Sequence, residues 1–248
     1  MRVGIFGGTF NPPHIGHINM CKLFLEELSL DKLFVIPASI PPHKQIKSKT
    51  TTQERLEMAE IAFSNLSCKI EVSDLETKRS GKSYTADTIK ELKSQGYDDL
   101  YLLCGTDMIL TLDGWYNPEY IFENATIVYM RRENEEENNH LLKEKIAFYE
   151  KSFNAKIVNI QAKPIELSSS TVRETVKSGN DASKMVTSEV LQFIKLKNLY
   201  MRNTNTPNTF EINLPRMRRS ISGEPQNTVA SKRSKDLFRC RTRRVQAV

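Results

Sequence analysis

The sequence predicts an α/β fold, an open and mostly parallel sheet with helices on both faces. Short apolar runs at residues 3–6, 33–36, 100–104 and 127–130 alternate with helical patterns, as a parallel sheet wrapped by helices requires. The first run feeds a glycine turn and then an amphipathic segment, a strand-turn-helix order. No internal repeat and no Pro/Gly cluster divides residues 1–200, so they read as one domain.

The elements follow in order. Residues 3–6 are the first strand and residues 18–28 the first helix. Residues 33–36 are the second strand. Residues 37–52 form a Pro- and Lys-rich loop ending at Thr51 and Thr52, which can cap a helix over 53–64. Residues 70–72 are a third strand, residues 85–95 a helix stopped by Gly96, and residues 100–104 a fourth strand. Residues 113–118 read as a loop carrying Trp115, and 127–130 as a fifth strand. Residues 131–140 are charged and read as a solvated loop entering a helix around 141–151. Residues 155–160 offer a last strand. Ser168, Ser169 and Ser170 open a helix through 176 that Gly179 and Asn180 stop, and a helix over 188–197 closes the body near Tyr200.

Charge separates the body from its extension. The net charge is +6, but residues 201–248 hold eleven Lys and Arg against three acidic residues, a local net of +8. Subtracting these from the 36 basic and 30 acidic residues of the chain leaves the body at 25 against 27. The body is nearly neutral, which argues against a nucleic-acid role for it. The extension is rich in Arg, Asn, Thr, Pro and Ser and poor in apolar residues, so it reads as disordered. It reads as dispensable, with an arm for nucleic acid or an acidic surface as the weaker alternative. No membrane span or secretory signal is visible, and Cys21, Cys68, Cys104 and Cys240 lack metal or redox spacing. Reduced thiols in the cytoplasm are the expectation.

Residues 7–17, Gly-Gly-Thr-Phe-Asn-Pro-Pro-His-Ile-Gly-His, carry the most chemistry. Gly7 and Gly8 let backbone N–H groups approach an anion, Thr9 adds a hydroxyl donor, and Pro12 and Pro13 stiffen the loop and delay the helix. Gly16 leaves space where a ligand can lie against the backbone. His14 and His17 then stand near the positive end of a helix, where phosphate is favoured, and the expected ligand is a nucleotide. A metal site is the weaker alternative, because no carboxylate or cysteine stands at ligand spacing beside them.

Other clusters follow strand ends or open helices. Lys44, in Pro41-Pro42-His43-Lys44, can bring a cation to a phosphate. Ser83 or Thr85 can cap the helix after Gly81, with Tyr84 and Thr85 facing the ligand crevice. Asp107 can accept from ribose hydroxyls, while Trp115, the only tryptophan, with Tyr116 beside it, can stack on a heterocycle. Ser168 to Ser170 with Arg173 offer donors to a polyphosphate. Each has an ordinary reading as a cap, packing group or solvated side chain.

Taken together, His14-Ile15-Gly16-His17, the GGTFNPPHIGH segment, PPHK at 41–44, SYTADT at 83–88, GTD at 105–107 with Trp115, and the serines before Arg173 resemble the H-x-G-H nucleotidylyltransferases. The chain is most similar to bacterial nicotinate-nucleotide adenylyltransferases over residues 1–200. The resemblance implies a Rossmann-like nucleotidylyltransferase fold and adenylyl transfer from ATP to nicotinate mononucleotide in NAD biosynthesis. It implies His14, His17 and Arg173 as catalytic residues, and an ATP site of Gly7, Gly8, Thr9, Phe10, His14, His17, Asp107, Ser169 and Arg173. Lys44, Tyr84, Thr85, Trp115 and Tyr116 would bind the mononucleotide. Mg²⁺ would be held mainly by ATP phosphates and water. Monomer and homo-oligomer both stay open. The chain departs from the family's usual Ser-Ser-Thr at Ser168-Ser169-Ser170, a form shared with phosphopantetheine adenylyltransferases. Those lack the GGTFNPPHIGH wording and the tryptophan loop. A class I aminoacyl-tRNA synthetase fragment would share the four-letter motif, but no KMSKS-type loop accompanies it. A non-catalytic nucleotide-binding module would have no reason to hold both histidines and Arg173.

Overall fold

A computed structural model describes residues 1–41, 49–79, 81–130, 139–161, 165 and 167–201. The expectations for His43, Lys44 and residues 202–248 lie outside these.

Six parallel strands form one sheet: β1 (Arg2–Gly8), β2 (Lys32–Pro37), β3 (Ile70–Val72), β4 (Asp99–Cys104), β5 (Ala125–Met130) and β6 (Ile157–Ile160), in the spatial order β3-β2-β1-β4-β5-β6. The helices are α1 (Ile15–Glu27), α2 (Thr52–Phe63), α3 (Thr85–Ser94), α4 (Thr106–Ile109), α5 (Pro118–Asn124), α6 (Asn139–Phe153), α7 (Ser169–Lys177) and α8 (Ser188–Leu196). Among the described residues, no helix is long and apolar enough to cross a membrane.

Strand alternation divides the core between the two faces of the sheet. Phe6, Leu33, Val35, Leu103 and Val128 pack with Phe24 of α1, Met58 and Phe63 of α2, Val172 of α7 and Phe193 of α8. Val3, Ile5, Phe34, Leu102 and Ile127 pack with Ile89 of α3, Ile109 of α4, Phe122 of α5 and Tyr149 of α6. Gly4 brings α1 close: a Cβ there would stand 2.6 Å from Leu30 Cδ1 and 2.8 Å from Phe24 Cε1.

Two local expectations are corrected. The first helix starts at Ile15, not at residue 18, because His14 supplies its cap and Pro13 lies just outside it. Neither Ser83 nor Thr85 caps α3. Tyr84 holds the N-cap position without a side-chain bond, and Ser83 Oγ accepts instead from the Ser39 N–H at 2.8 Å. Around the expected loop at 113–118 the chain forms α4 before it, a 3₁₀ turn at Leu112–Gly114 entering it and α5 leaving it. Thr51 caps α2 as expected, accepting from the Glu54 N–H at 3.1 Å while Glu54 Oε2 accepts from the Thr51 N–H at 2.8 Å.

Candidate active site

The order of the strands locates the site. From β1 the chain moves to β2 on one side, while β4 lies on the other, so the connections diverge between β1 and β4. Ligands of open parallel sheets lie in such a crevice, beyond the carboxyl ends of the strands. Residues 9–14 follow β1 there, and Gly105 and Asp107 follow β4.

At the start of α1, two histidines cap the helix reciprocally. The His17 N–H donates to His14 Nδ1 at 3.3 Å, and the His14 N–H donates to His17 Nδ1 at 3.2 Å. The rings stack with centroids 3.6 Å apart and planes 28° from parallel. Because each Nδ1 accepts a backbone proton, a neutral ring of either residue carries its own proton on Nε2. His14 is 5% exposed, and burial pulls its pKa down from 6.5 to about 4. It is therefore neutral at pH 7, a donor through Nε2 rather than a cation.

Gly16 makes this cap possible for a different reason from ligand room. A Cβ there would stand 2.8 Å from the Ile165 carbonyl oxygen and 3.0 Å from His14 Nδ1. The expected ligand space is occupied by protein. Gly7, by contrast, has nothing within 4 Å of a would-be Cβ. Gly8 does not share that openness, since a Cβ would meet the Phe10 ring at 2.9 Å. The Phe10 ring is buried against Phe6, Phe63 and His17, and its backbone takes a left-handed φ of 47°.

The start of α7 is stitched to the same loop. Ser168 Oγ accepts from the Thr171 N–H at 3.0 Å, and Ser169 Oγ donates to the Pro12 carbonyl at 2.9 Å. Arg173 donates from Nη1 to the Asn11 carbonyl at 2.8 Å and from Nη2 to Ser170 Oγ at 2.9 Å. Two helix N-termini thus meet at residues 11–14, where their positive dipole ends favour an anion. Tyr200 completes the support: its hydroxyl donates to Asn11 Oδ1 at 2.6 Å, and burial pushes its pKa up to about 12.

The second cluster lies around α3 and the turn before α5. Tyr84 and Tyr116 approach with ring centroids 4.6 Å apart, and Thr85 opens α3 as a half-buried residue. Trp115 is half-buried against the core, and its indole N–H donates to Thr111 Oγ1 at 3.4 Å. Asp107 is exposed in the first turn of α4. The turn carrying Trp115 is pinned from α6. Lys145 pairs with Asp113 at 2.7 Å, and the Tyr149 hydroxyl lies 2.8 Å from both Asp113 Oδ1 and the Ile109 carbonyl oxygen. Burial and the Asp113 carboxylate together hold the Tyr149 pKa far above its ordinary value.

Sequence reasoning missed Tyr149, Tyr200 and the fully buried Arg55. Arg55 had a signal, because it shares a helical face with the buried Met58, Ala59 and Ala62, where a cation is out of place. The tyrosines had none, since their partners are remote in sequence. Among the described residues, no three His, Cys, Asp or Glu side chains gather to hold a metal ion.

The cytidylyltransferase-like family model matches residues 5–175. A probable nicotinate-nucleotide adenylyltransferase of Borrelia garinii subsp. bavariensis is 35% identical over 206 residues, covering 83% of this chain and 98% of that relative. One of Clostridium novyi is 35% identical over 200 residues, covering 80% and 98%. Among solved structures, the Plasmodium falciparum nicotinic acid mononucleotide adenylyltransferase complexed with NaAD shares the fold, with a TM-score of 0.64 at 22% identity over 80% of this chain and 97% of that one. The sheet order, the histidine-capped helix and these relatives agree, and the chain belongs to the nicotinate-nucleotide adenylyltransferase family within the cytidylyltransferase-like group.

Proposed function

We propose that this chain transfers the adenylyl group of ATP to nicotinate mononucleotide, releasing pyrophosphate and forming deamido-NAD for NAD biosynthesis. The observation that carries the reading is the reciprocal histidine cap of α1, joined through Asn11 and Pro12 to the start of α7. It gathers N–H, imidazole and hydroxyl donors where a polyphosphate would lie.

A phosphate oxygen of the mononucleotide attacks the α-phosphorus of ATP in line, and the bond from that phosphorus to the bridging oxygen of pyrophosphate breaks. No protein nucleophile is required. Catalysis is positioning together with neutralisation of charge on the equatorial oxygens and on the leaving group. Neutral His14 donates its Nε2 proton, and His17 steadies the reacting phosphorus beside it. Gly7, Gly8, Thr9 and Phe10 supply backbone N–H groups. Ser169 and Arg173 take the β and γ phosphates, exchanging their bonds to the Pro12 and Asn11 carbonyls for the substrate. Asp107 accepts from the ribose, Trp115 and Tyr116 stack on the pyridine ring, Tyr84 lines that subsite, and Thr85 with the N-terminus of α3 takes the nicotinate carboxylate. Lys44 assists at phosphate.

The donor set suits phosphate oxygens rather than a cage for a bare cation. Mg²⁺ would therefore arrive on ATP, held by phosphates and water, and would offset charge on the departing pyrophosphate. The buried thiols of Cys21 and Cys104 fit a reducing cytoplasm.

Pyrophosphate release with ATP and each mononucleotide in turn tests the reading. The acid is expected to be strongly preferred over the amide, and His17→Ala is expected to lose on the order of 10²–10³ in kcat. Equal rates with both mononucleotides would refute the specificity. An active His17→Ala would refute the catalytic assignment.

A further inference from the structure

A guanidinium stays charged and carries five donors in a planar fork, so burying one is costly unless its donors and its charge are met. Arg55 is 0% exposed. Its Nη1 donates to the Thr9 carbonyl at 2.9 Å and the Ala38 carbonyl at 2.6 Å, and its Nη2 donates to the Ser39 carbonyl at 2.8 Å and to Thr52 Oγ1 at 3.1 Å. Its Nε is buried without a partner. No carboxylate pairs with it among the described residues. The cation is met by three carbonyl oxygens and one hydroxyl, with no opposite charge, a poor arrangement for stability that calls for another use.

The acceptors show the use. Thr9 follows β1, whereas Ala38 and Ser39 follow the neighbouring β2. The far edge of that second segment is held too: the Ser39 N–H donates to Ser83 Oγ at 2.8 Å, and the Ser83 N–H donates to the Ile40 carbonyl at 3.0 Å. Ser83 immediately precedes Tyr84, the N-cap of α3. Residues 38–40 are therefore a strap, with one edge on Arg55 and the other on Ser83. It joins the loop proposed for ATP to the helix start proposed for the nicotinate carboxylate.

We infer that Arg55 is a positioning residue for adenylyl transfer, setting the register between the two substrate halves by gripping Thr9 and the strap at Ala38 and Ser39 with one guanidinium. The inference rests on the function proposed above. In-line attack depends on where the mononucleotide oxygen stands relative to the α-phosphorus, and misplacement by about 1 Å costs on the order of 100-fold in rate. The contacts each substrate makes for itself are untouched, so affinity changes little. Lysine keeps the charge but presents a compact ammonium instead of a planar fork, so it does not span both segments.

The test compares the full chain with Arg55→Lys, Arg55→Met and Ser83→Ala in the pyrophosphate assay. Turnover is expressed per ATP-binding site counted by calorimetry, so that a misfolded fraction is not read as slow chemistry. Both Arg55 variants are expected to lose on the order of 10- to 100-fold in kcat, with KM for ATP and for nicotinate mononucleotide moving less than about threefold. Ser83→Ala, which removes one strap bond and no buried charge, is expected to lose kcat less severely with the same KM values. If Arg55→Met does not fold, Arg55→Lys and Ser83→Ala carry the test. Wild-type turnover in Arg55→Lys would overturn the inference, since charge alone would then suffice. So would a loss carried by KM, or unchanged kcat in Arg55→Met or in Ser83→Ala. A wild-type chain that releases no pyrophosphate would instead refute the underlying function.

Discussion

Acidification should strip the chain of stability that resides in one neutral imidazole. His14 is buried, and its pKa in the folded chain is about 4 against an ordinary 6.5. Between those values the unfolded chain binds the extra proton and the folded chain does not. The contribution is therefore fully present above 6.5 and is lost as the pH falls through 4. At 1.36 kcal/mol per pH unit, the loss attributable to His14 is about 2 kcal/mol at pH 5 and about 3 kcal/mol at pH 4. The geometry gives the same sign, because the added proton must go to Nδ1, which is already accepting from the His17 N–H at 3.3 Å. His14→Asn is the comparison, as asparagine caps helices well and does not titrate in this range. Urea unfolding of both chains from pH 7 to pH 4 isolates the effect, since other titrations are common to both. The wild type should lose about 3 kcal/mol more than His14→Asn over that range. Parallel curves would refute the neutral, buried imidazole and the tautomer argument built on it.

Two glycine substitutions and two truncations separate support from contact. Gly16→Ala places a Cβ 2.8 Å from the Ile165 carbonyl oxygen and 3.0 Å from His14 Nδ1, so it should cost about 1–3 kcal/mol and lower kcat by displacing the cap. Gly7→Ala meets nothing within 4 Å, so its stability should stay within about 0.5 kcal/mol while KM for ATP rises; equal thermal stability of the two variants would contradict the packing. Truncation after Met201 keeps the Tyr200 hydroxyl on Asn11 and should leave turnover unchanged, whereas truncation after Lys197 removes Tyr200 and the buried Leu199 and should lower both melting temperature and kcat. Loss of turnover or solubility in the longer truncation would refute the reading of residues 202–248 as dispensable.

What was legible in the sequence was whatever periodicity and local chemistry determine. The strand at Ile70–Val72 and the Thr51 cap of α2 follow from apolar runs and from a Thr three residues before a Glu. Helices of four and seven residues carry too few turns for a period to show, so α4 and α5 leave no helical pattern in the sequence. Pro118, a loop signal beside Trp115, is also the residue that opens α5. Ser83 misled for a physical reason: a hydroxyl before a helix normally caps it, yet this one is claimed by Ser39, 44 residues away.

The same contrast explains the site. The glycines and histidines near the N-terminus predict a phosphate loop, but their division of labour is tertiary. Gly16 excludes a side chain for the sake of Ile165 and His14, and Gly7 alone of the loop glycines opens to empty space. The two histidines looked like paired donors, and helix capping makes them so by a route that spacing hides. Two Nδ1 atoms satisfy two backbone N–H groups that α1 would otherwise leave unpaired, and that same commitment places the remaining ring proton on Nε2. A serine cap would satisfy the helix equally well and offer no second donor. A solvated histidine would offer a donor of either tautomer, and part of the time a cation. At His14, stacking and burial remove those choices, so the motif's spacing of three is the spacing of a capping box as much as of the expected phosphate site.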